Sequence, residues 1–65
     1  SGKMYNVKFF AYRIMTAPCV HRFKSLANAK AYVKQVEAVC IEKKLNYYVA
    51  CYTNTKTYIE KNVEF

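Results

Sequence analysis

The sequence has no aspartate, one glycine, one proline, one histidine, and only four carboxylates, all of them glutamate, in 65 residues. Each shortage excludes something. A single glycine at position 2 leaves no glycine-rich loop to cradle a nucleotide phosphate. One histidine and no aspartate leave few of the acids and bases that enzymes assemble, and the glutamates all lie in the second half of the chain, away from most of the cations. Cys19 and His21 are the nearest approach to a nucleophilic pair. Residues two apart on a strand lie ~6.5 Å apart along the chain, however, and a domain this small offers little cleft. The chain therefore reads as a non-enzyme.

Three cysteines, an odd number with no CxxC pair, argue against a disulfide framework and for a reducing compartment. Cys19, His21, Cys40 and Cys51 match no zinc-binding spacing, and small thiols are common core residues, so neither metal nor cofactor is expected. No apolar run approaches the ~20 residues of a membrane span, and the start lacks the apolar core of a signal peptide. These absences predict a cytoplasmic protein with no membrane partner. Residues 1–3 read as an addition ahead of Met4, which is the expected natural start, and 4–65 as one domain.

Hydrophobic residues make up 54% of the chain and aromatics 17%, too much for a disordered segment. At this length the core is thin, because a small domain buries only ~60% of its unfolded surface. The charge is unevenly placed. Up to Val36 there are seven lysines or arginines and no carboxylate, whereas from Glu37 onward four lysines meet four glutamates. The net charge of +7 thus resides on Lys3, Lys8, Arg13, Arg22, Lys24, Lys30 and Lys34. A half domain of one sign attracts polyanions, nucleic acid foremost.

The most regular stretch is Ser25 to Leu45. Leu26, Ala29, Val33, Val36 and Cys40 recur at intervals of three and four, one stripe of an amphipathic helix, with Tyr32 and Val39 beside them. Ser25 is an N-cap, Lys43 and Lys44 suit the negative end of the helix dipole, and Asn46 is expected to take the left-handed conformation that ends it. Alternation marks a strand from Met4 to Ile14, with Tyr5, Val7, Phe9 and Ala11 toward the helix and Asn6, Lys8, Phe10 and Tyr12 away from it. Met15 to Pro18 reads as a loop and Cys19 to Lys24 as a short strand. Tyr47 to Thr53 is a strand with Tyr47, Val49 and Cys51 on one face and Tyr48, Ala50 and Tyr52 on the other. After a turn at Asn54 and Thr55, Lys56 to Glu60 returns as the last strand, with Thr57 and Ile59 inward and Tyr58 outward, and Val63 and Phe65 either extend it or pack as a tail.

These elements predict an α+β two-layer domain, one helix on an antiparallel-rich sheet in the order ββαββ, or βαββ if Met15 to Lys24 is irregular. One helix covers one face. The other face carries Phe10, Tyr12, Tyr48, Tyr52 and Tyr58 among Lys8, Arg22, Lys24 and Lys56. Five aromatics at ~150 to 250 Å² each exceed the ~300 to 600 Å² patch usual on a monomer, so a partner is expected there. Single-stranded nucleic acid fits first: rings stack with bases, while Lys8, Arg22, Lys24, Lys30 and Lys34 engage phosphates. An acidic protein partner fits second, because tyrosine and arginine anchor interfaces, and a second copy of the chain fits third. On the helix, Ala27, Ala31, Lys34, Ala38 and Ile41 form a flat stripe that reads as ordinary helix formers.

In size and composition the chain resembles the short basic accessory proteins of bacteriophages and other compact AT-rich genomes. That resemblance implies a protein that binds and inhibits, or adapts, a host protein in the host cytoplasm. The expectation is a non-enzymatic binding protein, with nucleic acid as the first partner class and a host protein as the second.

Overall fold

The computed structural model of the protein describes residues 2–65. In chain order it comprises β1 (Tyr5–Ala11), β2 (Cys19–Phe23), α1 (Leu26–Lys43), β3 (Tyr47–Tyr52) and β4 (Thr57–Val63). The four strands form one sheet in the spatial order β2-β1-β3-β4, antiparallel at every junction, with α1 packed on one face. The expected ββαββ order holds. Among the described residues no helix is long and apolar enough to cross a membrane.

The central junction joins segments from opposite halves of the chain. Val7 lies opposite Cys51, Phe9 opposite Val49 and Ala11 opposite Tyr47. Residues opposite one another share a face, so these pairs project together toward α1, which sets Ala29, Val33 and Cys40 against them. The buried cluster is Val7, Ala11, Ala29, Val33, Cys40, Leu45, Tyr47, Val49 and Cys51. Burial of each valine or leucine stabilises the fold by roughly 1.5–3 kcal/mol. At the β2 edge, Tyr32 lies against Phe23 and His21, with ring centroids 5.4 and 4.9 Å apart.

Two local expectations require correction. The helix begins as expected, with the Asn28 amide donating to Ser25 Oγ at 3.2 Å. It ends on Lys44 instead of Asn46. Lys44 takes the left-handed conformation (φ 54°, ψ 46°), its amide donates to the Ile41 carbonyl at 3.2 Å, and the Leu45 amide donates to the Cys40 carbonyl at 2.9 Å. Those two bonds close a Schellman turn that folds Leu45 back onto Cys40 in the core. Asn46 instead ties neighbouring segments together. Its carbonyl accepts from the Tyr12 amide at 3.1 Å, and its side chain accepts from the Phe65 amide at 2.8 Å.

The second correction concerns β4. It extends through Val63, and its register slips beside Cys51 and Tyr52, so that Cys51 faces Ile59 while Tyr52 faces Thr57. Tyr58 is the extra residue of a bulge, where two adjacent side chains turn to the same side. Tyr58 therefore joins Ile59 against the core, with its ring 5.8 Å from that of Tyr5. Thr57 lies opposite Tyr52 on the other face. The sequence alternation had these two reversed.

One polar group crosses from helix to sheet. Tyr47, only 2% exposed, donates its hydroxyl to Glu37 Oε2 at 2.7 Å, and Lys61 Nζ reaches the same oxygen at 2.9 Å. Burial alone would raise the Glu37 carboxyl, but the bonds from Tyr47 and Lys61 outweigh it and hold the group below its usual value. Burial, reinforced by the adjoining carboxylate, pushes the Tyr47 hydroxyl up to about 12.

Two outcomes follow from these placements. Replacing Lys44 by glycine relieves the left-handed strain on a side-chain-bearing residue, and the urea midpoint should rise by the equivalent of about 0.5–1 kcal/mol. An unchanged or lower midpoint would mean that the turn carries no strain. Tyr47 keeps its proton more tightly in the fold than in the unfolded chain, so its contribution is intact below pH ~10 and lost as pH rises toward ~12. The two-unit shift corresponds to about 2–3 kcal/mol at most. Tyr47→Phe should remove that alkaline slope while costing about 1 kcal/mol at pH ~8. Parallel slopes for the two proteins in urea titrations at pH ~8 and ~11.5 would rule Tyr47 out as the titrating group.

Candidate binding face

The face of the sheet opposite α1 is built in rows fixed by the register. One row runs Arg22, Asn6, Tyr52, Thr57 from β2 to β4; the next runs Val20, Lys8, Ala50, Glu60; the third holds Phe10, Tyr48 and Asn62. Tyr12, one residue past β1, extends the Phe10 side, and the two rings meet edge to face with centroids 5.1 Å apart. Four of the five aromatics expected on this face are there. Tyr58 is not, and Lys56 has left with it, its ammonium lying 4.8 Å over the Tyr58 ring.

The face is more self-supporting than a flat array of rings. Ala50 sits at its middle, yet is only 4% exposed. Its neighbours by register are Lys8 and Glu60, flanked by Tyr48 and Tyr52 along the strand, and their side chains roof it. The Tyr48 hydroxyl donates to Glu60 Oε2 at 2.8 Å and the Tyr12 hydroxyl to Asn62 Oδ1 at 2.9 Å. Phe10, Tyr48 and Tyr52 are consequently half-buried, while Tyr12 remains 46% exposed. The apolar area on offer is smaller than a count of rings implies, and its geometry is better fixed.

The expected cations do not form one surface. Lys8 and Arg22 lie on the open face, and Lys24 lies exposed between β2 and the helix cap. Lys30 and Lys34 are exposed on α1, the layer on the far side of the sheet. A strand that contacts Lys8 and Arg22 through this face cannot touch both helix lysines without wrapping around the domain. The helix stripe of Ala27, Ala31, Lys34, Ala38 and Ile41 lies exposed, since α1 buries Ala29, Val33 and Cys40 instead.

Several face residues were not legible as candidates. Asn6, Asn62 and Thr57 are ordinary polar strand residues until the register sets them beside the tyrosines, and Val20, 49% exposed, belongs to the face only because β2 pairs with β1. Glu60 is the one carboxylate among the described residues of this face, and the Tyr48 hydroxyl engages it. Its acceptance of that hydrogen bond, with burial second, raises the Tyr48 hydroxyl above the usual tyrosine value. Of the three cysteines, Cys40 and Cys51 are buried in the core and Cys19 is partly exposed at the β2 edge.

Compared with family models, curated proteins and solved structures, the chain gives no significant match.

Glu60→Gln offers a direct check of the tether. With the carboxylate neutralised, the Tyr48 hydroxyl should ionise at lower pH than in the parent protein, as read from its ring carbon in an NMR titration. An unmoved Tyr48 would show that its hydroxyl does not donate to Glu60 in solution.

Proposed function

We propose that the protein is a non-enzymatic binding module whose open sheet face engages single-stranded nucleic acid. The observation that carries this reading is the composition of that face: Phe10, Tyr12, Tyr48 and Tyr52 stand on the uncovered side of the sheet, with Lys8 and Arg22 in the same rows. Stacking of bases on such rings contributes ~1–3 kcal/mol per base and tolerates any sequence, because every base has a π-face. The cations meet the phosphates, and the carboxylate-free first 36 residues supply the long-range attraction.

A second reading uses the same face on a protein. Rings held by hydrogen bonds at their hydroxyls, as Tyr12 and Tyr48 are, lose little freedom on docking, which is the property of interface anchors. An acidic partner surface would suit the surrounding charge. On this reading the protein acts as a small inhibitor or adaptor.

Fluorescence anisotropy of labelled single-stranded RNA and DNA at ~50 and ~200 mM salt separates the two readings. Binding should weaken steeply with salt. Tyr52→Ala should lower affinity by roughly 5- to 100-fold at both concentrations, because stacking is not screened, whereas Lys8→Gln should reduce the salt dependence itself. No binding at ~50 mM salt would remove nucleic acid as the ligand and leave the face to a protein partner.

A further inference from the structure

A cleft of about 620 Å³ opens at the end of the sheet where β1 begins, lined by Met4, Asn6, Arg22, Thr53, Asn54 and Thr55, with Gly2 and Lys3 of the expected addition beside Met4. Its walls are the segment leading into β1 and the turn from β3 to β4. The sheet itself stops between them, since Tyr5 opposite Phe23 and Tyr52 opposite Thr57 are the last register pairs on that side. The turn is firmly held: the Thr53 amide donates to the Lys56 carbonyl at 2.7 Å, and Thr53 Oγ1 accepts from the amides of Thr55 and Lys56 at 3.3 and 3.1 Å.

The chemistry of the lining is one-sided. From Met4 onward it holds a guanidinium, two carboxamides, two threonines and the Met4 thioether, and no carboxylate. Arginine presents a planar fork of donors that matches phosphate oxygens, and the volume of the cleft falls in the ~300 to 1,000 Å³ range of small-ligand sites. The cleft is also continuous with the binding face, because Arg22 and Asn6 belong to both: they begin the row that ends in Tyr52 and Thr57. Two strand spacings, about 10 Å, separate the backbones of Arg22 and Tyr52. The reach of an arginine side chain plus the base-to-phosphate length of a nucleotide covers that interval. Among the described residues Tyr52 is also the tyrosine of this face whose hydroxyl has no hydrogen-bond partner, unlike those of Tyr12 and Tyr48.

From this juxtaposition we infer that the cleft is a phosphate site for a nucleoside phosphate whose base stacks on Tyr52, with Arg22 as the main phosphate contact and Asn54 and Thr55 closing around it. This rests on the nucleic-acid reading and deepens it, giving the strand a fixed point on an otherwise sequence-tolerant face. The grip is by charge and hydrogen bonds alone, with no bond made or broken.

The test is an NMR titration of the full chain with adenosine 5′-monophosphate, adenosine and inorganic phosphate in parallel. The monophosphate should shift the amides of Asn6, Arg22, Tyr52, Asn54 and Thr55 and bind about tenfold more tightly than adenosine. Phosphate alone should shift the cleft amides without Tyr52. Arg22→Gln should abolish the advantage of the monophosphate, whereas Lys30→Gln, which removes the same charge from the opposite layer, should preserve it. Both sites are exposed, and a thermal melt confirms that each variant folds. Equal affinity for adenosine and its monophosphate, shifts centred on the helix lysines, or an Arg22→Gln protein that retains the advantage would each overturn the inference. Oligonucleotide anisotropy on the same proteins keeps the two readings apart. Oligonucleotide binding that depends on Tyr52 and Lys8, together with a monophosphate that binds no better than adenosine, would sink the cleft and leave the face reading intact. A monophosphate that seats in the cleft of a protein that binds no oligonucleotide would do the reverse.

Discussion

The pairing of β1 with β3 is the constraint on which the rest of the domain depends. It joins segments about forty residues apart at the centre of the sheet, and the period of two along each strand then fixes every side chain to one layer or the other. A slip of one residue would flip one strand against the other, sending either Val7 or Val49 and Cys51 into water and bringing Lys8 or Ala50 under the helix. With the register as it stands, Ala29 and Val33 of α1 meet a wholly apolar surface, and the Schellman turn at Lys44 delivers Leu45 and Tyr47 into it. Helix length, helix exit and sheet register are thus one solution to a single packing problem.

A domain with one helix and one sheet has two sheet faces and the means to cover only one. The uncovered face here is stabilised from within: Ala50 lets four larger neighbours close over it, and hydroxyls of Tyr12 and Tyr48 are anchored on β4. This arrangement limits the apolar area exposed to water while keeping the rings in defined positions. Such preorganisation lowers the entropy lost when a ligand docks, whatever its class.

Charge divides along the same architecture. The carboxylates of the second half are partly consumed in structural bonds, Glu37 by Tyr47 and Lys61 and Glu60 by Tyr48. The cations of the first half have no such partners in sequence and are distributed over both layers and the cleft at the start of β1. On the proposed reading, long-range attraction for a polyanion comes from the whole first half, whereas contact falls to the few cations that share a surface with the rings. Arg22 is the one that borders both the face and the cleft.

The element types, their order and the inward faces of β1 and β3 were legible in the residues alone, because helix capping and the two hydrophobic periods are local properties that survive in any tertiary setting. Equally legible was a sheet face with no covering helix, carrying Lys8, Phe10, Tyr12, Tyr48 and Tyr52. The strand order β2-β1-β3-β4, the bulge that turned Tyr58 inward and Thr57 outward, and the separation of Lys30 and Lys34 from the face came from the folded chain. Each of these depends on pairing between distant segments. A bulge leaves alternation in the sequence untouched while changing its meaning, and a lysine on a helix shows its layer only once the helix has docked. The cleft between the β1 lead-in and the β3–β4 turn is of the same kind, since Arg22, Asn6 and Asn54 become neighbours only when three strands have found their register.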